Sequence, residues 1–239
     1  MQTHFTTTPY ICKNKTKKDM ASLNDFMAQK PRPLPVIIAS DRSGSMQVDG
    51  KIDALNIAIK ELIKSLKDDD TSVDLQVALF SFGGEEATID FPLTSVSKIE
   101  DNQIPVYQAS GKTPMGLTFF QMKDLIENKD LIPSRAYKPT IVLITDGKPT
   151  DNYEVPMKCL IEEGRSSKAF RMAMAIGADA NQNMLASFVS TPEYLVPGEN
   201  ARDIKKFFRY VTMTVTSRTH SQTPDNPPTV PFPDDEIIL

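Results

Sequence analysis

Histidine and cysteine are almost missing from this chain of 239 residues: His4, His220, Cys12 and Cys159 are all it has. A structural zinc site needs more Cys and His than that. With both histidines near the chain ends, no base is placed for a Ser-His or Cys-His nucleophile. Two free thiols in a reducing compartment are the simplest expectation. Long hydrophobic runs are missing too. No stretch approaches the roughly 18 apolar residues that span a bilayer, and the N-terminus has no continuous apolar segment like that of a signal peptide. Cytoplasmic residence and no membrane span are the expectation. Nor is there an excess of basic charge: 27 basic against 31 acidic residues leave a net charge of −4. That argues against a nucleic-acid binder driven by bulk charge. Nucleotide and hydrolase signatures are also lacking. There is no Gly-x-Ser-x-Gly elbow, and Gly111-Lys112-Thr113 has no upstream glycine to make a phosphate loop.

What is present alternates strand and helix. Val36 to Ser40 is predicted as a first, buried strand behind the stiff lead-in of Pro31, Pro33 and Pro35. Asp53 to Lys67 follows as a helix with Leu55, Ile59, Leu62, Ile63 and Leu66 on one face, and Asp53 as N-cap or first-turn acid. Val73 to Phe80 is a second strand. It ends at Gly83-Gly84, a turn short enough to make Ala87 to Leu93 its antiparallel partner at a sheet edge, with Glu85-Glu86 at the tip. Residues 94–110 read as loop. After Thr113-Pro114 comes a helix carrying Leu117, Phe120, Leu125 and Ile126. Then follow strand Thr140 to Thr145, helix Val155 to Glu163, strand Ala169 to Gly177, helix Asn183 to Val189, a short strand Tyr194 to Val196 and a last helix from Ala201 to about Val215. Such alternation predicts an α/β fold: a doubly wound, mostly parallel central sheet with one antiparallel edge strand and helices on both faces. The domain spans residues 32–217. Residues 1–31 form a basic extension in which Met20 is an alternative start. Residues 218–239 form a Pro-rich, acidic tail expected to be disordered or extended.

Chemistry concentrates in three loops. Asp41, Ser43 and Ser45 alternate along one tight loop at the carboxyl end of the first strand. Ser110-Gly111-Lys112-Thr113-Pro114 is the second loop, and Thr145-Asp146-Gly147-Lys148-Pro149-Thr150-Asp151 the third. In a doubly wound sheet such loops open on the same edge. Two carboxylates and three hydroxyls there make an all-oxygen set suited to a hard divalent cation, Mg2+ or Mn2+. Any one of Asp41, Ser43 or Ser45 alone would read as a helix cap. Five such residues on three loops in this order do not.

The pattern Asp-x-Ser-x-Ser, then Thr, then Asp resembles the metal-ion-dependent adhesion site of the von Willebrand factor A domain, with all five positions matched. The resemblance spans about residues 34–216. It implies that Asp41, Ser43 and Ser45 hold Mg2+, that Thr113 and Asp146 complete the shell directly or through water, and that a partner's Asp or Glu supplies the last ligand. Lys112-Thr113-Pro114-Met115-Gly116, the Thr145–Asp151 segment and Phe207-Phe208-Arg209-Tyr210-Val211 are similar to the small bacterial TerY-like branch. That likeness implies a tellurium-resistance or stress module with a kinase-like and a phosphatase-like partner. Arg42, Lys112 and Lys148 are candidates for a rim that receives an acidic partner.

The function expected is therefore a non-enzymatic, metal-dependent protein-binding module. Two alternatives stand beside it. One is a metal-dependent hydrolase of the phosphatase type, which needs a second Asp two residues after Asp41, where this chain has Ser43. The other is self-association, with the tail acids Asp234-Asp235-Glu236 reaching a neighbour's site.

Overall fold

The computed structural model describes residues 30–226 and 230–233. The expectations for the basic N-terminal segment and for Asp234-Asp235-Glu236 lie outside the described residues. The unit from Pro31 onward is built on a six-stranded sheet in the order β3-β2-β1-β4-β5-β6. Its strands are β1 (Pro33–Asp41), β2 (Asp74–Gly83), β3 (Glu86–Ser95), β4 (Thr140–Thr145), β5 (Phe170–Ile176) and β6 (Leu195–Gly198). All neighbours pair in parallel except β2 and β3. The helices are α1 (Lys51–Lys67), α2 (Met115–Glu127), α3 (Glu154–Glu162), α4 (Gln182–Phe188) and α5 (Ala201–Thr219). α1 packs on α5 and α2 packs on α3, so the sheet is covered on both faces.

The central strands are apolar throughout because they are buried on both faces. Val36, Ile37 and Ile38 of β1 and Ile141, Val142, Leu143 and Ile144 of β4 are all fully buried. Each such aliphatic side chain contributes about 1.5–3 kcal/mol on leaving water. β1 opens at Pro33, earlier than the expected Val36. Its two prolines are tolerated because pairing with β4 starts only at Val36, past the missing N–H groups. The edge strands are blunted by Pro92 in β3 and Pro197 in β6, which cannot donate to an added strand.

The chain departs from the sequence pattern at four further places. α1 starts at Lys51, where the left-handed Gly50 (φ 68°) ends the preceding turn, so Asp53 is a first-turn acid. In α2 the buried face is Met115, Phe119, Met122 and Ile126, while Leu117 and Phe120 are exposed. Residues 94–110 include two short 3-10 turns, Val96–Lys98 and Asp101–Gln103. Finally, the domain does not give way to an extended tail at Arg218. α5 runs to Thr219 and the Arg218 side chain is fully buried. Its guanidinium donates to Pro224 O (2.8 Å), Lys138 O (2.8 Å) and Thr140 Oγ1, which fastens the following segment to the start of β4.

Candidate metal centre

β1 and β4 are adjacent, and the strand order reverses between them. That switch point is where open α/β sheets gather ligands. Asp41 ends β1 and is fully buried. One carboxylate oxygen, Oδ1, accepts the Ser43 N–H at 2.7 Å, which curls the loop back on its own strand. Its other oxygen, Oδ2, accepts the Thr145 hydroxyl across the switch point at 2.6 Å. The Ser43 and Ser45 hydroxyls lie 3.1 Å apart, and Ser45 donates to Asp146 Oδ1 at 2.6 Å. Thr113 completes the group. A Cβ built on Gly147 would lie 3.4 Å from Thr113 Oγ1 and 4.0 Å from Asp41 Oδ2, so both oxygens face the same point of backbone. All five residues singled out from the sequence thus come together from three loops.

The second loop is held by backbone. Gly84 N–H donates to Ser110 O (2.8 Å), Lys112 N–H to Gly84 O (3.1 Å) and Gly44 N–H to Gly111 O (3.0 Å). Gly111 has φ 65°, and a Cβ there would meet Gly84 Cα at 2.4 Å. No side chain fits that crossing. Further back, the buried Asn56 of α1 donates to Tyr107 O (2.9 Å) and accepts Tyr107 N–H (2.7 Å), which fixes the approach to the loop. Thr113 and the third loop brace each other: Thr113 N–H donates to Thr150 Oγ1 (3.0 Å) and Thr150 N–H to Thr113 O (2.9 Å). Asp151 then caps α2 from outside, accepting the Gly116 and Leu117 N–H groups at 2.9 and 3.0 Å. Gly111→Ala is expected to push this loop off its seat. The loss should be 2 kcal/mol or more in denaturant unfolding, from strain and clash together. A loss below about 0.5 kcal/mol would show that the crossing is not tight.

Electrostatically the crevice is short of positive charge. Burial is the main force on Asp41, lifting its carboxyl to about 6, and the like charge of Asp146 adds to the rise against the hydrogen bonds from Ser43 and Thr145. A buried carboxylate raised in this way, among hydroxyls and beside a second carboxylate, fits a hard cation in its donor chemistry. Among the described residues no group of three or more His, Cys, Asp or Glu side chains is placed to hold a metal ion. A cation here would therefore depend on the hydroxyls.

The rim candidates divide. Arg42 is half-buried and its Nε donates to Ser81 Oγ on β2 at 3.1 Å, away from the β1–β4 switch point. Lys112 is exposed and paired with Glu85 at 2.9 Å, at the tip of the β2–β3 hairpin. Lys148 is exposed. Sequence reasoning passed over two residues that touch the site. Thr145, which holds Asp41, sits next to Asp146 in sequence and was within reach as the last residue of β4. Lys51, whose ammonium contacts Asp146 Oδ2 at 2.8 Å, carried no local signal, since its partner lies 95 residues away.

A doubly wound sheet with an all-oxygen crevice at its switch point defines a class of α/β domain. Residues 36–209 match the von Willebrand factor type A domain, and the chain belongs to that family. An uncharacterized protein of Mycobacterium tuberculosis, Rv2850c, is 31% identical over 145 residues, 61% of this chain and 21% of the relative. The chain thus spans about a fifth of that relative's length. Among solved structures, a von Willebrand factor type A protein from Catenulispora acidiphila superposes with a TM-score of 0.62 at 20% identity, covering 78% of this chain and 43% of the other. Proximal thread matrix protein 1 from the mussel byssus, with a zinc-occupied MIDAS motif, gives a TM-score of 0.62 at 17% identity over 76% of this chain and 48% of the other. At such identities these two likenesses concern the fold.

Proposed function

We propose that this protein is a non-enzymatic binding module in which Asp41, Ser43, Ser45, Thr113 and Asp146 hold a divalent cation, Mg2+ or Mn2+, to capture an Asp or Glu of a protein partner. The observation that carries it is the convergence of five oxygen-bearing side chains at the β1–β4 switch point, linked through Ser43, Ser45 and Asp146. A bound cation would supply Lewis acidity and an exchangeable coordination position. The chain's own residues do the rest. Asp41, oriented by Thr145 and the Ser43 N–H, presents charge from the floor, and Gly111 and Thr150 hold Thr113 at the wall. Zinc in the motif of the mussel byssus protein makes Zn2+ a third metal to test.

The likeness of three segments to the TerY-like branch supports a stress or tellurium-resistance setting in the cytoplasm, with kinase-like and phosphatase-like partners. Self-association through the acidic tail is the competing source of the carboxylate. The test is co-purification of the full chain from its native cell with and without chelator, alongside a chain lacking residues 234–239, which keeps the docked Pro224 and Asp225. A partner retained only with the cation supports capture at this centre. Retention unaffected by chelator contradicts it, and oligomers lost with the tail point to self-association. Stabilisation of the purified protein by the cation is expected to be about 2.7 kcal/mol at a hundredfold excess over its dissociation constant. No shift in unfolding with Mg2+, Mn2+ or Zn2+ would remove the cation.

A further inference from the structure

We infer that Lys51 sets the charge of this centre: its ammonium holds Asp146, weakening the grip on a cation while leaving the loaded crevice net positive for an acidic partner. The inference rests on the reading of the crevice as a cation centre.

Lys51 Nζ lies 2.8 Å from Asp146 Oδ2, with side chains 13% and 1% exposed, so water and salt screen the pair little. Ser45 occupies the other oxygen of the same carboxylate. Both oxygens of Asp146 are therefore engaged by this chain's own groups. The position of Lys51 is unfavourable on local grounds. It is the first residue of α1, at the positive end of the helix dipole, where Asp53 is the favoured kind of residue. A cation placed there against the dipole needs a compensating partner, and Asp146 is that partner.

The charges near the crevice can be counted. Asp41 and Asp146 contribute two negative charges and Lys51 one positive. A divalent cation added to these leaves the centre at +1, whereas without Lys51 it is neutral. Only the groups in contact with the crevice oxygens enter this count. Arg42 and Asp151 keep opposite charges and face other partners, Lys112 pairs with Glu85, and Lys148 is exposed to solvent. Arg42 is bonded to Ser81 on β2, and Asp151 is engaged by backbone N–H groups at the start of α2. A neutral centre would hold its metal more tightly and attract a carboxylate less. Lys51 therefore trades cation affinity for electrophilicity, and it acts through Asp146 as a positioning residue.

Calorimetric titration of Mn2+ and Mg2+ into the full-length protein tests this, with acetate as a carboxylate probe. In Lys51→Met and Lys51→Gln, Mn2+ is expected to bind tenfold or more tighter than in the wild type. Acetate is expected to strengthen Mn2+ binding in the wild type several-fold more than in either variant. Lys51→Arg, which keeps the charge, should stay within about threefold of wild type. A purely structural role would lower thermal stability without tightening the metal. Unchanged or weaker Mn2+ binding in whichever of the two neutral variants folds overturns the inference while leaving the centre intact. Absence of Mn2+ and Mg2+ uptake by the wild type removes the centre and this role together.

Discussion

Replacing Arg218 by alanine is expected to lower the unfolding free energy by about 3–5 kcal/mol, the scale at which breaking a buried charged network operates. Arg218 is fully buried and among the largest side chains in the core. Truncation would leave a cavity under Phe170, whose ring lies 5.8 Å from the guanidinium carbon. It would also strip the donors from Lys138 O, Pro224 O and Thr140 Oγ1. Each orphaned acceptor costs about 1–3 kcal/mol where water does not reach it. Burial pulls the Arg218 guanidinium down to about 10, against the pull of Asp225, so it remains charged at neutral pH. Asp225 is in turn fixed by Lys138 N–H at 2.7 Å and Arg32 at 3.3 Å. In this size class a loss of that magnitude moves the melting temperature down by about 10 °C. Denaturant unfolding measures it, and a loss under about 1 kcal/mol would show that the network is not an anchor.

The same anchor bears on how α5 can behave. Just beyond Arg218, Thr219 Oγ1 donates to Asp69 Oδ2 at 2.8 Å, and the His220 ring nitrogen lies 2.7 Å from Asp69 Oδ1. The C-terminal end of the helix is thus tied to the loop after α1 as well as to β4. Any shift of α5 along the sheet has to break these contacts first. Arg218→Lys, which keeps the charge but loses the planar fork, is the milder probe of the same tie.

The central strands were legible because burial on both faces writes them as continuous apolar runs, as in Ile141-Val142-Leu143-Ile144. The hairpin was legible from Gly83-Gly84, and the five oxygen-bearing residues from their order along the chain. What escaped was tertiary. The face of α2 turns on one position, Phe119 inside and Phe120 outside, and neighbouring apolar residues leave that choice to the packing of α3 and β3. Pro224 and Asp225 carry turn composition, yet they dock because a buried guanidinium and the Lys138 N–H need acceptors. Lys51 lies two residues ahead of the expected helix start and shows no role until Asp146 arrives from the other side of the switch point.

The second large effect runs in two opposite directions in a single variant. Asp41→Asn is expected to stabilise the metal-free protein at pH 8 by about 2–3 kcal/mol and to abolish its stabilisation by Mn2+. The sign follows from the raised carboxyl. With a folded value of about 6 against an ordinary one near 4, the stability that Asp41 contributes is fully present below about pH 4 and lost as pH rises through 6. At pH 8 the buried carboxylate is ionised at a cost. Asparagine is close in shape, can still accept the Ser43 N–H and can donate to the Thr145 hydroxyl, but carries no charge. Metal-free wild type and variant should therefore converge in stability near pH 4, diverge between pH 4 and 6 and keep a constant gap above that, with the variant the more stable. In the wild type, cation affinity should fall steeply below pH 6, as the proton competes for the same oxygen. Unfolding curves over pH 4–8, with and without Mn2+, read both effects. A variant less stable than wild type at pH 8 would mean that Asp41 is held for structure, and a retained Mn2+ response would mean that the cation sits elsewhere. The expected outcome, greater stability with lost binding, marks Asp41 as a residue whose charge the fold tolerates only for what it holds.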